Sequence, residues 1–60
     1  MNGTDISIHV NERLHTLTSG TTMGELKDRM KPGADVLVVN GFPVDDSYVF
    51  KHGDHAALIK

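Results

Sequence analysis

Four histidines and eight carboxylates are the side chains of this chain best suited to metal or proton chemistry. Cysteine is absent, which removes disulfides, zinc–thiolate sites and thiol nucleophiles. His52 and His55 flank the Gly53-Asp54 dipeptide. A turn there directs the two imidazoles apart, whereas a zinc site needs three or four convergent ligands. Asp45 and Asp46 are adjacent in a polar stretch. Neighbouring loop carboxylates diverge, so they read as a solvated turn rather than an acid/base pair. His15 is expected on the inward side of a hairpin, partly buried and hydrogen-bonded, rather than acting as a general base. No Ser-His-Asp arrangement and no Gly-rich phosphate loop is present. The chain is therefore not expected to be an enzyme. No catalytic, cofactor-binding or metal-binding residue is assigned, and no cofactor is implied.

The size of the chain agrees with that reading. Sixty residues make one domain, residues 1–60, with a single core. A chain this short buries only about 60% of the surface its unfolded form exposes. Its composition, 38% hydrophobic and 23% charged, suits a soluble globular domain. Six basic against eight acidic residues leave a net charge of -2. Nucleic acid is not an expected partner, because non-specific binding needs a basic stripe to displace counterions. No apolar run reaches the roughly 18 residues of a membrane span. Met1 to Asp5 has neither the basic nor the apolar region of a leader peptide. A cytoplasmic monomer is the expectation.

The elements that must position these side chains follow from periodicity. Ile6, Ile8 and Val10 alternate with Ser7 and His9, the pattern of a half-buried strand. Asn11-Glu12 interrupts it, and Asn tolerates the left-handed conformation that a turn requires. The chain then returns from Arg13 to Leu17. A two-residue turn sets Ile8 opposite His15 and Ile6 opposite Leu17, and puts Leu14 and Thr16 on the other face with Ser7 and His9. Thr22-Met23-Gly24-Glu25 has the form of a capping box. A helix over residues 22–31 carries Met23, Leu26 and Met30 as a narrow apolar stripe. Pro32-Gly33 stops it. Gly24 inside the helix costs stability relative to Ala, which predicts a close neighbour there.

Val36-Leu37-Val38-Val39 reads as a central strand buried on both faces. Asn40-Gly41 is a hairpin turn signal. Phe42-Pro43-Val44 returns as a short edge strand, because proline cannot donate to a ladder. Asp45-Asp46-Ser47 forms a polar loop, with Tyr48, Val49 and Phe50 as apolar mass beneath it. The last strand runs from His55 to Lys60, with Ala56 and Leu58 on one face and Ala57 and Ile59 on the other. A helix between a hairpin and a third strand must cross one face of the sheet. It covers Ile6, Ile8, Leu17, Leu37, Val39 and Leu58. The expected architecture is α+β, a mixed four- or five-stranded sheet with one helix packed across it. The last strand lies centrally, parallel to the first. The face without a helix then presents Leu14, Val36, Val38, Ala57 and Ile59. A contiguous apolar cluster of this kind is expected to dock a partner protein.

In this order the segments resemble a known family. Ile8-His9-Val10-Asn11-Glu12, Gly20-Thr21-Thr22-Met23-Gly24-Glu25-Leu26, Val38-Val39-Asn40-Gly41 and Phe50-Lys51-His52-Gly53-Asp54 are similar to the strand, helix-start and turn segments of the ubiquitin-like sulfur carriers, ThiS of thiamine biosynthesis and MoaD of molybdopterin synthase. The resemblance covers residues 6 to 60 and implies the β-grasp fold. It implies a ThiF- or MoeB-type adenylyltransferase as partner, in cis or in trans, gripping the uncovered sheet face. Lys31 to Val44 resembles the carrier-like domain at the N-terminus of some ThiF-type adenylyltransferases more than it resembles free carriers. Family carriers end in a flexible Gly-Gly tail whose carboxylate is adenylated and converted to a thiocarboxylate. No Gly-Gly occurs in the sixty residues. The expectation is thus a truncated or degenerate carrier, or the N-terminal module of a fused adenylyltransferase, serving thiamine or molybdopterin synthesis. The alternative is a TGS-type β-grasp module, regulatory or RNA-associated, of a larger protein, because the Asn-Gly and Gly-Asp turns suit both.

Overall fold

A computed structural model describes residues 5–60 of the chain. Met1 to Thr4, most of the stretch considered above for a leader peptide, lie outside the described residues. The elements are β1 (Asp5–Val10), β2 (Arg13–Thr18), α1 (Met23–Met30), β3 (Val36–Val39), β4 (Phe42–Pro43) and β5 (His55–Ile59). They form one sheet in the order β2-β1-β5-β3-β4. β1 and β5 run parallel, and every other neighbouring pair is antiparallel. This is the α+β β-grasp architecture.

Local chemistry sets each turn. Asn11 and Glu12 both take positive φ, at 48° and 72°. Two successive left-handed residues make the tight turn whose twist matches the flanking strands. The register follows: Ile8 faces His15 and Ile6 faces Leu17. Asn40 and Gly41 repeat the device at 53° and 85°, and set Val39 opposite Phe42.

The helix is only eight residues long, too short to hold by itself. Each of its first four N–H groups nevertheless has an acceptor. Met23 N–H donates to the Tyr48 carbonyl at 2.7 Å and Gly24 N–H to that of Asp46 at 2.9 Å. Glu25 N–H donates to Thr22 Oγ1, and Leu26 N–H to the Thr22 carbonyl. The capping box closes when Thr22 N–H donates to Glu25 Oε1 at 2.9 Å. The close neighbour of Gly24 is the 46–50 segment: a β-carbon at Gly24 would stand 3.2 Å from both the β-carbon and the carbonyl oxygen of Asp46.

The core lies between helix and sheet. It comprises Ile6, Ile8, Val10, Leu17, Met23, Leu26, Ala34, Val39, Phe50, Ala56 and Leu58. Three expectations need correction. Met30 is 42% exposed, at the last residue of the helix. The stripe is in effect Met23 and Leu26. β3 is not buried on both faces: Val36 is exposed, Leu37 and Val38 are half-buried, and the central strand is β5. An eight-residue helix covers one face only, so the outward side chains of β3 stay in water. Finally, His15 is half-buried but not hydrogen-bonded, and its Nε2 is buried without a partner among the described residues.

Leu26, 2% exposed, is the hinge of helix packing. Replacing it by Ala should cost about 2–5 kcal/mol, against a total of order 5 kcal/mol for a domain this size. Urea titration should show the variant largely unfolded at 37 °C. A loss below about 1 kcal/mol would mean that Leu26 is not the helix–sheet contact.

Candidate functional site

The site is built on the sheet face that the helix leaves bare. Side chains alternate along β5, so the burial of Ala56 and Leu58 turns His55, Ala57 and Ile59 outward. Pairing with β3 sets Val38 beside Ala57 and Val36 beside Ile59. These four apolar residues make a contiguous patch. Ile59 and Val36 are about half exposed, at 50% and 47%. Leu14 is 65% exposed and lies on the same face, beside His9 on β1. It is separated from the other four by the His9 and His55 rings.

Those rings were not singled out by the sequence pattern, which treats His9 only as an outward residue. The parallel pairing of β1 with β5 sets His9 against His55. The rings stack with centroids 4.6 Å apart and 7° between their planes. A shallow groove results, lined by Val38, Ala57, Ile59, His9, His55 and Glu12 among others. The remaining histidines are elsewhere. His52 Nδ1 accepts from the Ser7 N–H at 3.1 Å, so His52 and His55 have separate engagements. Asp45 and Asp46 also diverge. Asp45 accepts from Ser47, while Asp46 pairs with Lys27 at 3.2 Å.

Two asparagines border the groove, and both have their amides committed to β5. β1 ends at Val10, but β5 continues, leaving the Leu58 peptide groups beyond the backbone ladder. Asn11 supplies the missing pairing with its side chain. Leu58 N–H donates to Asn11 Oδ1 at 3.0 Å, and Asn11 Nδ2 donates to the Leu58 carbonyl at 3.3 Å. Asn40, on the β3 side, holds the first residue of β5 and the carboxylate just before it. Its Oδ1 accepts from His55 N–H at 2.9 Å, and its Nδ2 donates to Asp54 Oδ1 at 2.9 Å.

Asp54 secures the start of β5. It is 5% exposed. Besides Asn40, its carboxylate accepts from the Tyr48 hydroxyl at 2.7 Å and from Lys51 N–H at 2.9 Å. Burial pushes the carboxyl pKa up. The hydrogen bonds from Lys51, Tyr48 and Asn40, with the nearby Lys51 charge, outweigh burial and hold it below the usual carboxylate value. Donation to Asp54, followed by burial, raises the Tyr48 phenol above its usual value. The pattern of Gly53-Asp54 predicts a turn; only the three convergent donors show why the residue is Asp.

The described residues contain no group of three or more side chains placed to hold a metal ion. They contain no helix long and apolar enough to cross a membrane. A family model, ThiS-like ubiquitin, matches residues 6–60. No curated protein matches the chain.

A carboxyl held below its ordinary value stabilises the fold fully above about pH 4 and loses that contribution as pH falls through its lowered value. Thermal unfolding between pH 7 and pH 2.5 should therefore show a falling midpoint at the acid end. Asp54→Asn should be less stable at pH 7 and lose less on acidification. Asp54→Ala, which strands three donors, should cost about 3 kcal/mol. An acid profile for Asp54→Asn parallel to the parent's would remove Asp54 as the source.

Proposed function

The chain belongs to the ThiS-like ubiquitin family, and on that premise we propose that it is a sulfur-carrier-type domain that docks on a ThiF- or MoeB-type adenylyltransferase through the bare sheet face. The observation that carries this reading is the contiguous patch of Val36, Val38, Ala57 and Ile59. It spans two paired strands, one of them the central β5, and no element of the described chain covers it. Exposed clusters of this kind mark protein contacts more often than isolated surface apolars do. Each asparagine amide beside it already donates one hydrogen bond and accepts another within the fold, which lowers the desolvation cost of covering it. Leu14, beyond the histidine rings, is an outlying contact.

In this reading the chain contributes binding and presentation, and the adenylyltransferase contributes the chemistry. The pathway served is that of thiamine or molybdopterin synthesis, and the domain works either as a separate chain or as the N-terminal module of a fused adenylyltransferase. The rigidity of β5 matters in both arrangements. Hydrogen bonds from β1, Asn11, Asn40 and β3 hold the strand on both sides, so a partner gripping the face also fixes the direction in which β5 points.

Titration of the chain into a ThiF-type adenylyltransferase, followed by calorimetry, tests the reading. Binding is expected. Ile59→Asp and Val38→Asp should each weaken it at least tenfold, because a buried unpaired carboxylate is costly. Asp28→Lys, on the exposed helix surface, should leave it unchanged. Native unfolding midpoints for all three variants would establish that they are folded. Unchanged affinity in both Asp variants would exclude this face.

A further inference from the structure

The stacked histidines divide the proposed docking face, and their position has a consequence for what the face accepts. A partner that covers Val38, Ala57 and Ile59 also covers the groove wall formed by His9 and His55. Most polar groups of that groove are already committed: the Asn11 amide to Leu58, and the Asn40 amide to His55 and Asp54. The imidazole nitrogens of His9 and His55 make no hydrogen bond to any described residue, and neither does Glu12. Glu12 is also without an ion pair among the described residues. The ring nitrogens, one carboxylate and the second amide hydrogens of Asn11 and Asn40 are thus what a partner meets as polar chemistry.

From this arrangement we propose that docking is proton-linked. The face accepts its partner with both imidazoles neutral and sheds it when they protonate. This inference rests on the docking reading above and adds its regulation and the chemistry of the partner surface. That surface is apolar opposite Val38, Ala57 and Ile59, and carries no carboxylate opposite the ring pair. Charge complementarity supports the second point. The chain is net negative at -2, and the one ionised side chain in the groove is Glu12. A neutral or basic surface is therefore favoured over an acidic one. Under such a surface an imidazolium loses water and gains no counter-ion. The protonated rings are better served in the open chain, where solvent reaches them and Glu12 lies along the same groove. Protonation thus favours release.

The neighbouring elements supply further ionisable groups: Asp5 starts β1 on the same outward row as His9, and β2 carries Arg13 and the inward His15. β3 and β4 contribute apolar residues and the Asn40-Gly41 turn, and β2 contributes Leu14 and Thr16. The loop before β5 contributes Lys51 and His52, the latter tied through Nδ1 to the Ser7 N–H. Asp54 lies beneath, saturated by its donors and ionised well below the range in question. His is the side chain that ordinarily changes charge between pH 5 and 8. Each ring that must give up its proton weakens docking by up to about tenfold per pH unit below that range.

The test is calorimetric titration of the full chain with a ThiF-type adenylyltransferase at pH 7.5, 6.5 and 5.5. Affinity should fall about ten- to a hundredfold from the highest to the lowest pH. The double variant His9→Gln/His55→Gln should bind at pH 7.5 and lose most of that dependence. Each single variant should lose about half of it on a logarithmic scale. His52→Gln should retain it. A pH-independent affinity in the parent chain would overturn the proton link while leaving docking intact. An equal fall in the double variant would place the titrating group on the partner and overturn it too. Affinity rising on acidification would show a partner carboxylate on the rings, the opposite of what is proposed. Absence of binding at every pH would remove the docking reading itself and the link with it.

Discussion

The buried carboxylate of Asp54 is the constraint on which the rest of the structure depends. It stands where the chain turns into its central strand, and it gathers donors from three separate stretches: the β3–β4 turn through Asn40, the 46–50 segment through Tyr48, and its own loop through Lys51. Its backbone is equally committed. The Asp54 carbonyl accepts from His9 N–H at 2.9 Å, which begins the parallel pairing of β1 with β5. A buried carboxylate without donors would be strongly destabilising; with them it remains charged and holds three loops in one geometry. The segment that Tyr48 anchors is also the one whose carbonyls receive the helix N-terminus. Helix position and β5 position are thus linked through one side chain.

β5 presents a second problem, which the fold solves twice with the same residue type. A central strand needs partners for both rows of backbone groups, yet both of its neighbours end in tight turns. At each turn an asparagine adopts the left-handed conformation and folds its amide back onto β5. The amide is a peptide group in all but connectivity, so it can donate and accept as a further strand residue would. Conformational tolerance and hydrogen-bonding capacity are required together, and Asn has both.

The bare face follows from size. One helix of eight residues covers one side of a five-stranded sheet, and no other described element covers the other. Apolar side chains on that other side are a cost to an isolated domain and an advantage to one that docks. Their continuity arises from pairing: Val36 with Ile59 and Val38 with Ala57 are neighbours because β3 and β5 pair antiparallel, although about twenty residues of chain separate them.

The sequence by itself determined whatever depends on neighbours along the chain. The hairpin register follows from the alternation of Ile6, Ile8 and Val10 with a two-residue turn. The capping box at Thr22, the close approach at Gly24 and the outward set of Val36, Val38, Ala57 and Ile59 follow from periodicity and from residue chemistry within a turn or a strand. Tertiary structure alone decided what depends on distant segments meeting. Four successive apolar residues in β3 predict burial on both faces, but composition cannot show whether a second layer exists. Met30 continues the helical stripe by spacing, yet it ends the helix largely uncovered. His15 took the inward place that alternation assigns, but whether a partner stands opposite its Nε2 is a matter of tertiary packing. The His9–His55 stack, the Asn11 clamp on Leu58 and the three donors on Asp54 join residues 14 to 47 positions apart, or converge from several loops at once. No periodicity encodes such meetings. They exist because β5 inserts between β1 and β3, and that insertion is a property of the whole sheet.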